Sequence, residues 1–286
     1  MNQHLDVFIE VVNSGSFSKA AIKMNMTQPA VSQYIKALEN KLGTDLIERN
    51  NKKLRLNKAG QLVYNYGLEI NNLYINMQSS IDELKHTASG VIKIGASYTF
   101  GEYILPNIIT QMLKVYPDIK PEIIIDNTKN IADLVEKNHI DIGIIEGIIN
   151  NNILYKEFFL DDEMIVATSS KNHSFSTNNL NKTKWITREN GSGTKQMTDL
   201  VMKNLNIKPK SELRFSSTKV IKEAVKEGIG VSLFSLSTIN KELNEGTLVK
   251  VDIGQEPIYR KYSYLINSHF KTKTLSIFLD FLRQSN

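Results

Sequence analysis

Residues 20–33 read Ala20-Ala21-Ile22-Lys23-Met24-Asn25-Met26-Thr27-Gln28-Pro29-Ala30-Val31-Ser32-Gln33, and this stretch decides how the N-terminal part of the chain is built. Ala20 and Ala21 belong to a short helix, and their small side chains let a second helix approach closely. Asn25 stands where the chain must turn, and asparagine tolerates the left-handed conformation that such a turn needs. Thr27 is placed to cap the next helix, and Pro29 falls in its first turn, where a missing N–H is harmless. The spacing predicts that helix from about Gln28 to Leu42, with Gly43 ending it. Val31 and Met26 fill the space between the two helices. Gln28, Ser32 and Gln33 are left on the outer face. In a helix-turn-helix the second helix lies in the major groove with its N-terminal residues at base edges, and amides and hydroxyls are the groups that address bases. Ser18 and Lys36 lie where they can reach phosphates.

The flanks fit this reading. Upstream, Leu5, Phe8, Ile9 and Val12 fall at helical spacing, and Ser16 or Ser18 can cap the short helix that follows. Downstream, Leu46 and Ile47, then Leu54 and Leu56, flank Asn50-Asn51, a pattern that predicts a short β-hairpin. Its tip carries Arg49, Lys52 and Lys53, with Arg55 and Lys58 close behind and no intervening acid. A lone basic turn is usually a solvated one; directly after a helix-turn-helix it reads as a wing that grips phosphates. From Lys58 to about His86 runs one long helical pattern in which Leu62, Tyr66, Ile70, Leu73, Met77, Ile81 and Leu84 form a near-heptad seam. Such a helix could pack on its own domain. The length, narrowness and position of the seam favour a dimerisation helix, with Ala88-Ser89-Gly90 as a hinge after it.

Beyond the hinge, strand patterns alternate with helical ones. Strands are expected at Val91–Ala96, Ile119–Ile125, Asp141–Ile145, Met164–Thr168, Trp185–Thr187, Glu212–Phe215, Val231–Phe234 and Tyr262–Asn267. Helices are expected at Glu102–Tyr116, Ile131–Asn138, Thr194–Leu205 and Thr218–Glu227. This alternation argues for an α/β domain with mostly parallel sheets. Two turns in it carry binding chemistry. Ser97, Tyr98 and Thr99 follow the first strand, and Gly191, Ser192, Gly193 and Thr194 open a later helix. Hydroxyls and backbone N–H groups at a helix start form an anion site. Either turn alone is more simply a helix cap; two of them facing across a cleft could hold one small anion with neutral donors and no arginine. Ser216, also at a helix start, could add a hydroxyl. Glu146 is awkward for an anion site: it could turn away, pair with Lys195, or face a ligand group that is positive or donates hydrogen bonds. Trp185 is read as core.

The totals bound the function. A chain of 286 residues exceeds what one core usually serves. The net charge of +5 is compatible with a polyanionic partner without proving one. With no cysteine, disulfides and thiolate chemistry are excluded. The five histidines have neither metal-ligand nor triad spacing, and Gly191-Ser192-Gly193 is not a nucleophile elbow, so an enzyme is disfavoured and no cofactor is expected. Met1–Glu10 does not read as a signal peptide, which weighs against a solute-binding transport protein, and no apolar run reaches the length of a membrane span. A cytoplasmic location follows, with no membrane partner.

Ser16-Phe17-Ser18-x-Ala20-Ala21, Thr27-Gln28-Pro29-Ala30-Val31-Ser32, Ile35-x-x-Leu38-Glu39-x-x-Leu42-Gly43, Leu46-Ile47-x-Arg49 and Leu56-x-x-Ala59-Gly60 occur in that order. Together they resemble the DNA-binding domain of the LysR-type transcriptional regulators, densely over about the first sixty residues. Ile47 stands where the family usually has Phe. The resemblance implies an α-helical winged helix-turn-helix (1–58), a long linker and dimerisation helix with hinge (59–89), and an α/β effector domain (90–286) of two periplasmic-binding-protein-like lobes. Lobe 1 is expected at about 90–161 plus 266–286, and lobe 2 at about 162–265. It further implies a homodimer or homotetramer on double-stranded promoter DNA, RNA polymerase as a candidate partner, and a small-molecule effector between the lobes. That effector would touch the turns at Ser97-Tyr98-Thr99 and Gly191-Ser192-Gly193-Thr194. The pattern Gly95-Ala96-Ser97-x-Thr99-x-Gly101-x-Tyr103-x-Leu105-Pro106 is similar to the branch that contains regulators of sulfur assimilation and carbon fixation.

Overall fold

A computed structural model describes residues 3–48, 54–83, 88–149, 151, 153–172, 177–254, 256–267 and 272–284. The chain divides into two compact units, Met1–Lys85 and His86–Asn286.

The first unit contains α1 (Gln3–Ser14), α2 (Phe17–Lys23), α3 (Gln28–Leu42) and α4 (Lys58–Glu83). Its core joins Leu5, Phe8 and Ile9 of α1 to Ala20 and Ala21 of α2, to Val31, Ile35 and Leu38 of α3, and to Leu46, Ile47 and Tyr64. Ser16 takes the cap position of α2, while Ser18 lies inside that helix. Asn25 turns the chain with φ 53°, as the sequence requires. Thr27 Oγ1 accepts from Ala30 N at 3.4 Å, and Gly43 closes α3 in the left-handed region with φ 70°. The expected hairpin is reduced among the described residues to a single bridge, Ile47 opposite Leu56, beside which Glu48 N donates to Arg55 O at 2.9 Å. Two contacts brace its base. Buried Glu39 accepts from Leu46 N at 2.9 Å, and Gly60 packs so closely that a Cβ there would lie 2.1 Å from the Leu46 carbonyl oxygen.

The second unit is built on one sheet in the order β2-β1-β3-β9-β4-β7-β5-β6, with β8 on β4. The strands are β1 (Gly90–Ser97), β2 (Ile119–Asp126), β3 (Ile142–Glu146), β4 (Tyr155–Ser169), β5 (Lys184–Arg188), β6 (Ser211–Phe215), β7 (Val231–Ser235), β8 (Leu248–Lys250) and β9 (Ile258–Ile266). The ends of the sheet are parallel: β1 with β2 and β3, and β5 with β6 and β7. The middle is antiparallel, because β4 and β9 pair from Tyr155 opposite Ile266 to Met164 opposite Ile258, with a register shift between Phe158 and Leu160. Helices α5 (Tyr98–Tyr103), α6 (Leu105–Val115), α7 (Thr128–Glu136), α8 (Gly193–Asn204), α9 (Thr218–Lys226), α10 (Leu236–Asn244) and α11 (Lys273–Gln284) complete the unit. One apolar cluster joins β1, β3, β9, α6 and α11, and others join β4, β5 and β7 to α8, α9 and α10. Trp185 is fully buried and donates to Leu180 O at 3.1 Å, so it is core.

Three expectations change, the first being the mostly parallel sheet, since β3–β9, β4–β7, β4–β8 and β4–β9 all pair antiparallel. The helix expected at Glu102–Tyr116 begins earlier, at Tyr98, and breaks at Ile104. Pro106 has no N–H to give the carbonyl of Glu102, so the ladder cannot run through. The strand expected at Met164–Thr168 is only the end of β4, which starts at Tyr155.

Candidate functional site

On the first unit, Gln28, Pro29, Gln33 and Lys36 are exposed along α3, Ser32 is half-buried, and Thr27 and Ser18 are exposed beside them. Gln28 Nε2 donates to Ser32 Oγ at 3.0 Å, so the two polar groups present one continuous edge at the N-terminal end of α3. The opposite side of that helix is apolar and buried, which leaves this edge free to be offered outward. Arg49, Lys52 and Lys53 lie outside the described residues.

On the second unit, the structure brings the two hydroxyl-bearing turns together. Ser97 ends β1 and Thr99 lies in α5, both buried. Gly193 and Thr194 open α8, with Ser192 as the residue before it. Gly193 has no room for a side chain: a Cβ would lie 2.1 Å from the carbonyl oxygen of Glu146 and 2.7 Å from its Cγ. The start of α8 is thereby seated on the end of β3. Gly191, at φ 93°, accepts from Lys129 N at 3.1 Å through its carbonyl, which ties the α8 turn to the start of α7.

Charge gathers at this junction in a way the motifs do not announce. Ser97 Oγ donates to Glu146 Oε2 in a short contact, Thr99 Oγ1 lies 3.5 Å from Glu146 Oε1, and Thr128 Oγ1 donates to the Glu146 carbonyl at 2.8 Å. Arg260, brought in by β9, lies 3.6 Å from Glu146 Oε1, donates to Asp162 Oδ2 at 2.6 Å, and donates to Thr194 Oγ1 at 2.8 Å. Ser235 Oγ donates to the other Asp162 oxygen at 2.6 Å. Burial opposes the charge on Arg260, but Tyr262, Glu146 and Asp162 around it raise its pKa above the ordinary arginine value. Burial likewise pushes the Tyr262 hydroxyl well up.

A second guanidinium closes the other side. Arg188, at the end of β5, lies over the Tyr98 ring at 4.7 Å, grips Glu189 with Nε and Nη2 at 2.8 and 3.0 Å, and donates to Thr218 Oγ1 at 3.1 Å. Thr99, Arg188, Thr194, Thr218, Ser232, Ser235 and Thr238 line a cavity of about 10 Å³, room for about one water.

Two expectations are corrected here. Glu146 pairs with Arg260 and not with Lys195, because the Lys195 amine is directed to Asp199 and to Glu212, the latter at 3.3 Å. The junction is also not free of arginine. Arg260 sits on a strand remote in sequence from both turns and is brought in by strand pairing, while Arg188 ends β5 three residues before Gly191. Ser216 is exposed, and Thr218, one step into α9, faces the cavity. Among the described residues, the buried hydroxyls of Ser192 and Ser263 have no hydrogen-bond partner, and that of Ser192 stands at the start of α8.

No helix among the described residues is long and apolar enough to cross a membrane. Among the same residues, no group of three or more His, Asp or Glu side chains could hold a metal ion.

Comparison with known proteins assigns both units. Residues 2–61 match the bacterial regulatory helix-turn-helix protein, lysR family, and residues 85–286 match the LysR substrate binding domain. The HTH-type transcriptional regulator CysL of Bacillus subtilis is 35% identical over 98% of this chain and 96% of its own length. A probable RuBisCO transcriptional regulator of Cyanidium caldarium is 30% identical over 96% of this chain and 90% of its own. Both agree with the sulfur-assimilation and carbon-fixation branch that the Gly95–Pro106 pattern resembles. Among solved structures, a full-length OxyR variant from Pseudomonas aeruginosa superposes with a TM-score of 0.75 at 20% identity, covering 100% of this chain and 94% of that one. Full-length CbnR complexed with its target DNA gives 0.69 at 16% identity, covering 100% of both chains. The regulatory domain of Synechocystis CcmR in complex with 2-PG gives 0.62 at 24% identity, covering 68% of this chain and 97% of that one. These likenesses establish the two-lobed periplasmic-binding-protein-like fold behind a helix-turn-helix. The proteins so matched are transcription regulators and not enzymes. The chain belongs to the LysR family of bacterial helix-turn-helix transcriptional regulators.

Proposed function

We propose that this regulator binds promoter DNA as a homodimer or homotetramer, in the cytoplasm, and tunes the work of RNA polymerase in response to a small anion held in the effector domain. Gln28, Ser32 and Gln33 read base edges, with Thr27 and Pro29 fixing the start of the reading helix. Ser18, Lys36, Arg49, Lys52 and Lys53 hold phosphates. The seam of α4 supplies the dimer contact: Leu62, Tyr66, Ile70, Leu73, Met77 and Ile81 are 48–62% exposed in the single chain, an apolar row of the kind a second copy covers. CbnR complexed with its target DNA and CcmR in complex with 2-PG, relatives in fold, support the two halves of this reading.

The observation that carries the anion reading is Ser192. Its hydroxyl is buried, unpartnered, and stands at the N-terminus of the twelve-residue helix α8, where the helix dipole and free N–H groups favour negative charge. Leaving such a donor unmade is costly, and an anion touching Ser192, Thr194, Thr99 and Ser97 would satisfy it. Tyr98, Gly191 and Gly193 shape the walls, the last by permitting close backbone approach. Calorimetry with candidate small anions tests this. Thr99→Ala and Thr194→Ala should each weaken binding by about 1 kcal/mol or more while leaving DNA binding without ligand intact. Unchanged affinity in both variants would place the sensing site elsewhere.

A further inference from the structure

Glu146 is the residue that a plain anion site does not use. Its carboxylate is 1% exposed, and Oε2 is taken by Ser97. Among the described residues, Oε1 is approached by Thr99 Oγ1 at 3.5 Å and Arg260 Nη1 at 3.6 Å, distances at which a hydrogen bond is weak or absent. Arg260 spends its short bonds on Asp162 and Thr194, at 2.6 and 2.8 Å. The nearest donors to this buried acceptor are therefore distant, while other hydroxyls beside it still have protons to give. Ser192 Oγ has no partner, and Thr194 Oγ1 accepts from Arg260, so its proton is left to give. Arg260 faces two carboxylates, Glu146 and Asp162. An anion with no proton to give would set an oxygen against the Glu146 carboxylate, a like charge whose one cation, Arg260, is shared with Asp162.

We propose that the cleft selects oxyanions that carry a proton of their own. A hydrogen oxyanion donates that proton to Glu146 Oε1, while its other oxygens accept from Ser192, Thr194 and the start of α8. A bare oxyanion of the same shape has nothing to donate, and one of its oxygens would lie against the carboxylate. Sites built around a specific hydrogen bond reject analogues that cannot make it far more strongly than sites that discriminate by apolar fit. This inference rests on the anion reading given above and narrows it to one class.

Titration calorimetry of the full chain near neutral pH decides it, using pairs matched in shape: phosphate against sulfate, sulfite against chlorate, hydrogen carbonate against nitrate. In the pair whose shape fits, the proton-bearing member should bind about tenfold tighter or more. Glu146→Gln, whose amide can donate, should close that gap by admitting the bare member. Thr194→Ala should weaken both members alike. Equal binding of both members by the wild-type chain, with Glu146→Gln weakening them equally, would overturn the selection and leave the anion site standing. If the wild-type chain takes up none of these oxyanions, both readings fall. The wild-type ratio decides the matter without any variant should Glu146→Gln not fold.

Discussion

Arg260 Nη1 donates to Thr194 Oγ1 at 2.8 Å, so the first turn of α8 is held by a guanidinium from the central strand β9. The same guanidinium is the cation for both Asp162 and Glu146. Removing it leaves two buried carboxylates facing each other's field. Arg260→Ala should therefore destabilise the effector domain by about 3–5 kcal/mol. Denaturant unfolding measures this, and a loss below about 1 kcal/mol would mean that the pair behaves like an exposed one.

The reading edge of α3 predicts a split between two variants. Gln28→Ala should weaken binding to the target sequence by about 1–3 kcal/mol while sparing random DNA. Lys36→Ala should weaken binding to every sequence and flatten the salt dependence by about one unit of slope. Gel-shift titrations at several salt concentrations separate them. Equal losses on specific and random DNA for Gln28→Ala would show that it is not a reader.

Leu73 lies mid-way along the exposed row on α4. If that row is the dimer contact, Leu73→Glu buries a charge against the partner's apolar face, at a cost of several kcal/mol. Light scattering should then report monomers, and cooperative DNA binding should fail. A fully dimeric Leu73→Glu protein would move the interface off this row.

Glu157 predicts how the effector domain responds to acid. Hydrogen bonding from the Tyr264 hydroxyl is the main influence on its carboxyl; burial works in the opposite direction, and Tyr155 and Arg283 reinforce the tyrosine, holding it at about 2 against an ordinary 4.5. A depressed carboxylate stabilises the fold fully above its ordinary range, and that stability drains away as pH falls toward about 2. Glu157→Gln should be less stable than wild type near neutrality and lose less between these limits. Parallel acid-unfolding curves for the two proteins would refute the assignment.

Gly193 predicts a backbone effect. Because its Cβ position falls 2.1 Å from the Glu146 carbonyl oxygen, Gly193→Ala must push α8 off the end of β3, costing roughly 1–3 kcal/mol as overpacking does. Thermal melts should show the loss. A melt unchanged from wild type would mean that α8 is not seated there in solution.

The first unit was legible because its signals are local. Thr27, Pro29 and Gly43 mark the ends of α3 within a few residues of the helix they bound, and the structure places each in that role. The two hydroxyl turns were legible for the same reason. Arg188 and Arg260 were not, since each sits on a strand whose pattern reads only as strand, and their meeting with Thr218, Thr194 and Asp162 depends on pairing across many residues. The first half of β4 was hidden too. Residues 155–163 read Tyr-Lys-Glu-Phe-Phe-Leu-Asp-Asp-Glu, and the register shift between Phe158 and Leu160 breaks the alternation by which a strand is recognised. Helix α11 was a plainer omission: Leu275, Phe278, Leu279 and Leu282 bury at helical spacing.

Strand β4 runs without a break from Tyr155 to Ser169, holding β9 along its first part and β7 and β8 along its last. The two ends of the effector domain are thus woven on one ribbon. A hydrogen-bonded ribbon resists stretching and yields to torsion, and a bulge concentrates that yield by adding local twist. The register shift between Phe158 and Leu160 puts such an irregularity in this ribbon. A ligand that shifts Thr194 and Arg260 should therefore be felt at the far end of the domain as a rotation about β4, metered in degrees of twist.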